Sequence, residues 1–153
     1  MIVMRKKINV IPSTYSGCGQ KGDFEWMLTQ LEHERTLFIF NDNEEQFGAF
    51  VKGESGGFTR GGGNAAIRPF RKMSPPRAAG VPTGKSGRGY SSLDEPTKAK
   101  IDQALAVITD LLETGNYDSV VFSANETKTD IGTGIFDVGA DVRAYIFGCL
   151  ARL

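Results

Sequence analysis

Four consecutive apolar residues, Leu37-Phe38-Ile39-Phe40, follow Thr36 and stop at Asn41-Asp42-Asn43. A half-exposed strand would alternate apolar and polar residues. A short, unbroken, β-favouring run suits a strand buried on both faces of a sheet. Such a strand needs a covering layer on each side, which restricts the chain to an α/β arrangement. A second run, Tyr117 to Ser123 with Val120-Val121-Phe122 at its centre, repeats the demand.

Helical signals stand between and around these runs. Asp94 is placed to cap, and Pro96 sits in the first turn. Ile101, Ala104, Leu105, Ile108, Leu111 and Leu112 form one stripe that ends at Gly115. After Asn43, a plausible cap, Phe47, Phe50 and Val51 share a helical face over Glu44 to Val51. Asp141 starts a last helix with Val142, Tyr145, Ile146, Cys149, Leu150 and Leu153 on one side. Asp23 caps a short helix carrying Phe24, Met27, Leu28 and Leu31, and His33 at its end reads as a surface residue. Ile8 to Ile11 suits an edge strand, followed by a Ser/Gly-rich turn through Gly22. From Gly53 to Tyr90 the chain holds 10 of its 19 glycines and 4 of its 6 prolines, so loops dominate. Within it Ala65 to Phe70 reads as a short helix or strand, and Ala78 to Pro82 as a brief strand ending in the turn Pro82-Thr83-Gly84.

A length of 153 residues with 40% hydrophobic content fits one domain, 1–153, with a real core. No run approaches the roughly 18 apolar residues of a membrane span. Met1 to Lys7 lacks the apolar centre of a signal peptide, so the chain reads as cytoplasmic. Cys18 and Cys149 suit reduced thiols, Cys149 as a small core residue and Cys18 in a loop. Net charge is zero, which does not favour a nucleic-acid polymer as partner. Charge is uneven, however. From Lys52 to Tyr90 eight basic residues face one acid, Glu54, so this stretch carries +7 and the remainder −7.

Two glycine-rich segments carry the functional signal: Arg60-Gly61-Gly62-Gly63-Asn64, and Gly132-Thr133-Gly134-Ile135-Phe136 beyond the second strand run. Glycine lets backbone approach a phosphate closely, and exposed N–H groups near a helix start cradle its oxygens. Arg60, Arg68, Arg77 and Arg88 are candidates for bidentate phosphate contacts, and Tyr90 or Phe136 for stacking on a base or sugar. In α/β sheets ligands sit beyond the carboxyl ends of strands, where Asn41 to Asn43 and both glycine segments fall. Taken singly, each feature has a plainer explanation as a turn, a solvated face or a core plug.

The order Phe38-Ile39-Phe40-Asn41-Asp42-Asn43, Gly61-Gly62-Gly63-Asn64-Ala65-Ala66-Ile67-Arg68, then Val120-Val121-Phe122-Ser123 leading to Gly132-Thr133-Gly134-Ile135-Phe136 resembles the macrodomain family and its phage-encoded relatives. The likeness covers residues 37–153 and leaves 1–35 as a divergent N-terminal part. Gly80-Val81-Pro82-Thr83 is similar to a turn common in the phage proteins. The resemblance implies a three-layer macro-like fold, a mixed central sheet with helices on both faces. It implies Asn43 or Asn41 at the distal ribose, Gly61, Gly62, Gly63 and Asn64 around the diphosphate, and Gly132, Thr133, Gly134 and Ile135 closing over it with Phe136 near that ribose; Arg68 and Arg77 join the expected ligand set.

The implied ligand is a small nucleotide, an ADP-ribose derivative or a cyclic nucleotide, bound and sequestered by a phage counter-defence sponge in the host cytoplasm. No cofactor, metal or membrane is called for, and a homo-oligomer stays open. The alternatives are a macrodomain-type ADP-ribosyl hydrolase or ADP-ribose phosphate phosphatase, and a non-catalytic structural or interaction protein. Asp42 and Asp137 are the acids nearest the loops that could orient a water, although capping or turn formation is the commoner role for such carboxylates.

Overall fold

Alternation of side chains along buried strands sends neighbours to opposite faces, so each apolar run must meet two cores. In the computed structural model, which describes residues 7–134 and 136–153, it does. The reading of residues 1–6 and the site assignment of Ile135 lie outside the described residues. Strands β1 (Asn9–Thr14), β2 (Thr36–Asp42), β3 (Ala78–Pro82) and β6 (Ser119–Ala124) form a four-stranded sheet in the order β1-β6-β2-β3. A two-stranded hairpin, β4 (Gly84–Lys85) and β5 (Arg88–Gly89), follows β3. Helices are α1 (Phe24–Met27), α2 (Glu44–Val51), α3 (Glu95–Thr114) and α4 (Ala140–Ala151).

From β2, Leu37 and Ile39 enter one core with Val120, Phe122, Ile101, Ile108 and Ile146. Phe38 and Phe40 enter the other with Phe24, Met27, Ile67 and Val121. The chain is therefore α/β with apolar packing on both faces of the sheet. The expected mixed sheet is corrected: all three pairings in it are parallel. Each return to the sheet runs through a helical crossover, and that connection joins parallel strands. β6 enters between β1 and β2, leaving β1 at an edge, where Pro12 loses no ladder bond it needs.

Two of the expected caps form, whereas Asp23 makes no side-chain cap bond at α1 and accepts instead from Gly19 N at 2.7 Å. Asn43 Oδ1 accepts from Gln46 N at 2.8 Å, and Asp94 Oδ1 accepts from Thr97 N at 2.9 Å. Three further expectations change and one is settled. The helix expected over 23–31 stops at Met27, and Leu31 opens a 3₁₀ turn with 80% of its surface exposed. Ala65 to Phe70 lies inside a 3₁₀ segment, Gly63–Lys72, broken from α-geometry by Pro69. His33 is half-buried and packs edge-on against Phe38, with ring centroids 5.7 Å apart. Cys149 is half-buried rather than core, and Cys18 is exposed.

Candidate functional site

The carboxyl ends of the parallel strands open into a cleft of about 1010 Å³. β1 delivers Thr14 and Tyr15, β2 delivers Asn41 to Asn43, β6 delivers Ser123 to Asn125, and Thr83 follows β3. Both glycine segments line the same space: Gly61, Gly62, Gly63 and Asn64 with Arg68 on one side, Gly132, Thr133, Gly134 and Phe136 on the other. Two stretches far apart in sequence thus share one cleft with the end of β2 between them.

Two adjacent residues at the end of β2 fix these loops. The Asn41 amide donates to Gly132 O at 2.5 Å, holding the second loop. Its neighbour Asp42 has no exposed side-chain surface and takes two guanidinium groups. Arg68 Nη2 donates to Asp42 Oδ1 at 3.0 Å and Arg71 Nη2 to Oδ2 at 2.6 Å. The same two arginines donate to carbonyls just ahead of the first loop, Arg68 to Thr59 O at 3.1 Å and Arg71 to Gly57 O at 3.0 Å. The segment that leads into Gly61 is therefore hung from Asp42 through two buried cations. Residues three apart in a 3₁₀ helix eclipse one another, so Arg68 and Arg71 reach the same carboxylate. Phe40 and Phe50 flank the Arg71 guanidinium, 4.9 and 4.3 Å from their ring centroids, and burial lowers its pKa from the usual arginine value.

Backbone shape at the loops follows from what a side chain would meet. Gly63 has φ +56°, a left-handed conformation that glycine adopts without cost. A Cβ on Gly132 would stand 2.7 Å from Ala124 O, because Gly132 N donates back to Ser123 O at 3.1 Å and folds the loop onto β6. Asn64 Oδ1 accepts from Phe24 N at 3.0 Å, tying the first loop to α1. At the far wall Thr14 donates to Asn125 O at 2.7 Å, and Asn125 Oδ1 accepts from Thr129 N at 2.9 Å, shaping the turn to Asp130.

Several sequence assignments move. Arg77 does not line the cleft. It donates to Thr36 O, Leu28 O and His33 O at the opposite end of β2, and burial lowers its pKa. Arg88 is exposed on the hairpin. Tyr90 is 4% exposed, donates to Glu44 Oε1 at 3.0 Å and has no face on the cleft, so it stacks on no ligand there. Asp137 is exposed and outside the cleft. Asp42 lines it, but both oxygens are occupied by guanidinium N–H groups. Asn43 spends its carbonyl oxygen on the α2 cap.

The +7 stretch does not converge on the site. Of its basic residues only Arg60 and Arg68 line the cleft, joined by Arg143 from α4, against the acids Asp42, Glu126 and Asp130. The charged lining is balanced. Any attraction for an anion therefore rests on backbone N–H groups and on cations that can leave their protein partners. Thr14, Tyr15, Asn125 and Arg143 also line the cleft, and none of them stood out in the sequence. Tyr15 directly follows the last residue of β1, Thr14, at that strand's carboxyl end.

No protein-family model, curated protein or solved structure matches this chain. Among the described residues no helix is long and apolar enough to cross a membrane.

Proposed function

We propose that this protein binds a phosphorylated nucleotide of the ADP-ribose class, linear or cyclic, in the cleft beyond the strand ends and holds it without cleaving it. The reading is carried by one observation: both glycine loops line a single cleft of about 1010 Å³ at the carboxyl ends of a parallel sheet. That volume matches the upper end of the roughly 300–1,000 Å³ typical of small-molecule sites. The diphosphate lies between the Gly61–Asn64 and Gly132–Gly134 segments, and Tyr15 and Phe136 offer rings to the base and distal sugar. The packing on both sheet faces is read as the three-layer macro-like arrangement.

Holding is favoured over cutting because two of the three acids that line the cleft, Asp42 and Asp130, are engaged by arginines. Asp42 is clamped by Arg68 and Arg71, and Asp130 Oδ2 accepts from Arg143 Nε at 2.9 Å. A general base needs a lone pair within reach of the attacking water. Sequestration of an immune signalling nucleotide by a phage protein is the biological role that fits such a binder.

A thermal melt against ADP-ribose, cyclic ADP-ribose isomers and cyclic oligonucleotides tests the proposal. A true ligand at about 100 times its Kd stabilises by about 2.7 kcal/mol. No shift with any of them overturns it.

A further inference from the structure

The cleft's three arginines differ in how firmly the protein holds them. Arg68 is 5% exposed and bound to Asp42 and Thr59 O. Arg143 is 31% exposed, paired with Asp130, and also donates to Val138 O at 2.6 Å. Arg60 is 62% exposed and both of its terminal nitrogens face one carboxylate, Glu25 of α1, itself 40% exposed. It stands directly before Gly61 on the wall of the cleft. An ion pair this open to water is weak, and a planar guanidinium that already makes a forked contact with a carboxylate has the geometry to fork onto a phosphate instead.

We infer that Arg60 is the exchangeable cation of this site. It leaves Glu25 for an anionic group of the incoming ligand, and Glu25 is the internal competitor that sets how much negative charge a ligand must bring. The inference rests on the nucleotide-binding reading for its ligand, and it concerns discrimination: ligands that present charge beside Gly61 recover the pair that Glu25 gives up. In the charge-balanced lining Arg60 is the arginine freest to exchange, because Arg68 and Arg143 are held by additional protein contacts.

The test is calorimetric titration of ADP-ribose into the wild type, Glu25→Gln, Arg60→Gln and the double variant, with melting temperature as the control for folding. Glu25→Gln should tighten binding by about two- to five-fold, the worth of an exposed pair. Arg60→Gln should weaken it by at least about five-fold, as expected for a lost charge-assisted contact. In the Arg60→Gln background, Glu25→Gln should change nothing. An unchanged or weaker Glu25→Gln variant, or an Arg60→Gln variant that binds as wild type, overturns the exchange.

Should the wild type bind neither ADP-ribose nor any cyclic nucleotide of the melt panel, the nucleotide reading falls. The exchange is then decided by titrating inorganic pyrophosphate while following the Arg60 Nε–Hε NMR resonance. A shift that comes at lower concentration in Glu25→Gln than in wild type sustains it, and an unmoved resonance rejects it.

Discussion

Replacing Asp42 by alanine tests the hub on which the first loop hangs. The carboxylate is fully buried, and the two guanidiniums it neutralises are 5% and 2% exposed. Its removal leaves two cations out of water with one carbonyl each, Thr59 O and Gly57 O. Breaking a buried ion pair by deleting one partner costs about 3–5 kcal/mol. A domain typically holds about 5–15 kcal/mol in total. With a urea slope of roughly 1–3 kcal/mol per molar, the unfolding midpoint should fall by at least about 1 M.

Urea denaturation followed by tryptophan fluorescence and circular dichroism measures this, Trp26 being the chain's one tryptophan. A companion variant, Asp42→Leu with Arg68→Met and Arg71→Met, removes the charges together. It should recover most of the loss, since apolar replacement of a complete buried ion cluster is often neutral or stabilising. Nucleotide binding should stay impaired in it, because nothing then ties Gly57 and Thr59 to β2. A loss below about 1 kcal/mol for Asp42→Ala would refute the argument that this carboxylate organises the loop.

Further outcomes follow from the same geometry. Arg77→Ala should lower stability by about 2 kcal/mol or more, through three carbonyls left without their donor, while nucleotide affinity in the folded fraction stays as in wild type; calorimetry on the purified variant checks it. Gly134 has open space where a Cβ would stand, so Gly134→Asp should melt as wild type yet lose nucleotide binding through like-charge repulsion. Gly132→Ala should instead lose both, because its Cβ meets Ala124 O.

Burial, reinforced by the Glu44 carboxylate, raises the Tyr90 pKa above its ordinary value of 10.0. A raised folded-state pKa gives stability that is complete below pH 10 and is lost as pH climbs beyond it, by up to about 1.4 kcal/mol per pH unit. Tyr90→Phe should cost about 1 kcal/mol at neutral pH and flatten the alkaline limb, as read from urea midpoints between pH 8 and 11.

Local chemistry explains what was legible beforehand. α3 announces itself through Asp94, Pro96 and its stripe, and α2 through Asn43, because caps and periodicity act within a few residues. β2 was readable because burial on both faces removes polar residues from it. The loops were placed correctly at strand ends, and both line the cleft. What stayed hidden depends on distant partners. Arg68 and Arg71 read as free cations until the carboxylate 26 and 29 residues earlier is seen between them. Arg77 looked like a ligand residue but serves three carbonyls of other segments. Tyr90, an apparent stacking ring, is taken into the core by α2. The Arg-x-x-Arg spacing of Arg68 and Arg71 carries the shared carboxylate only once the stretch is seen to be a 3₁₀ helix.

The central claim is that the cleft takes up a phosphorylated nucleotide and keeps it whole. The direct measurement is to equilibrate the protein with ADP-ribose, separate bound from free, denature the protein and identify the released nucleotide by chromatography. Unaltered ADP-ribose should be released in near one-to-one ratio with protein, and none from Gly134→Asp. Absence of ADP-ribose, and of each cyclic nucleotide tried in its place, from the wild-type fraction would contradict binding, and recovery of a cleaved product would contradict sequestration.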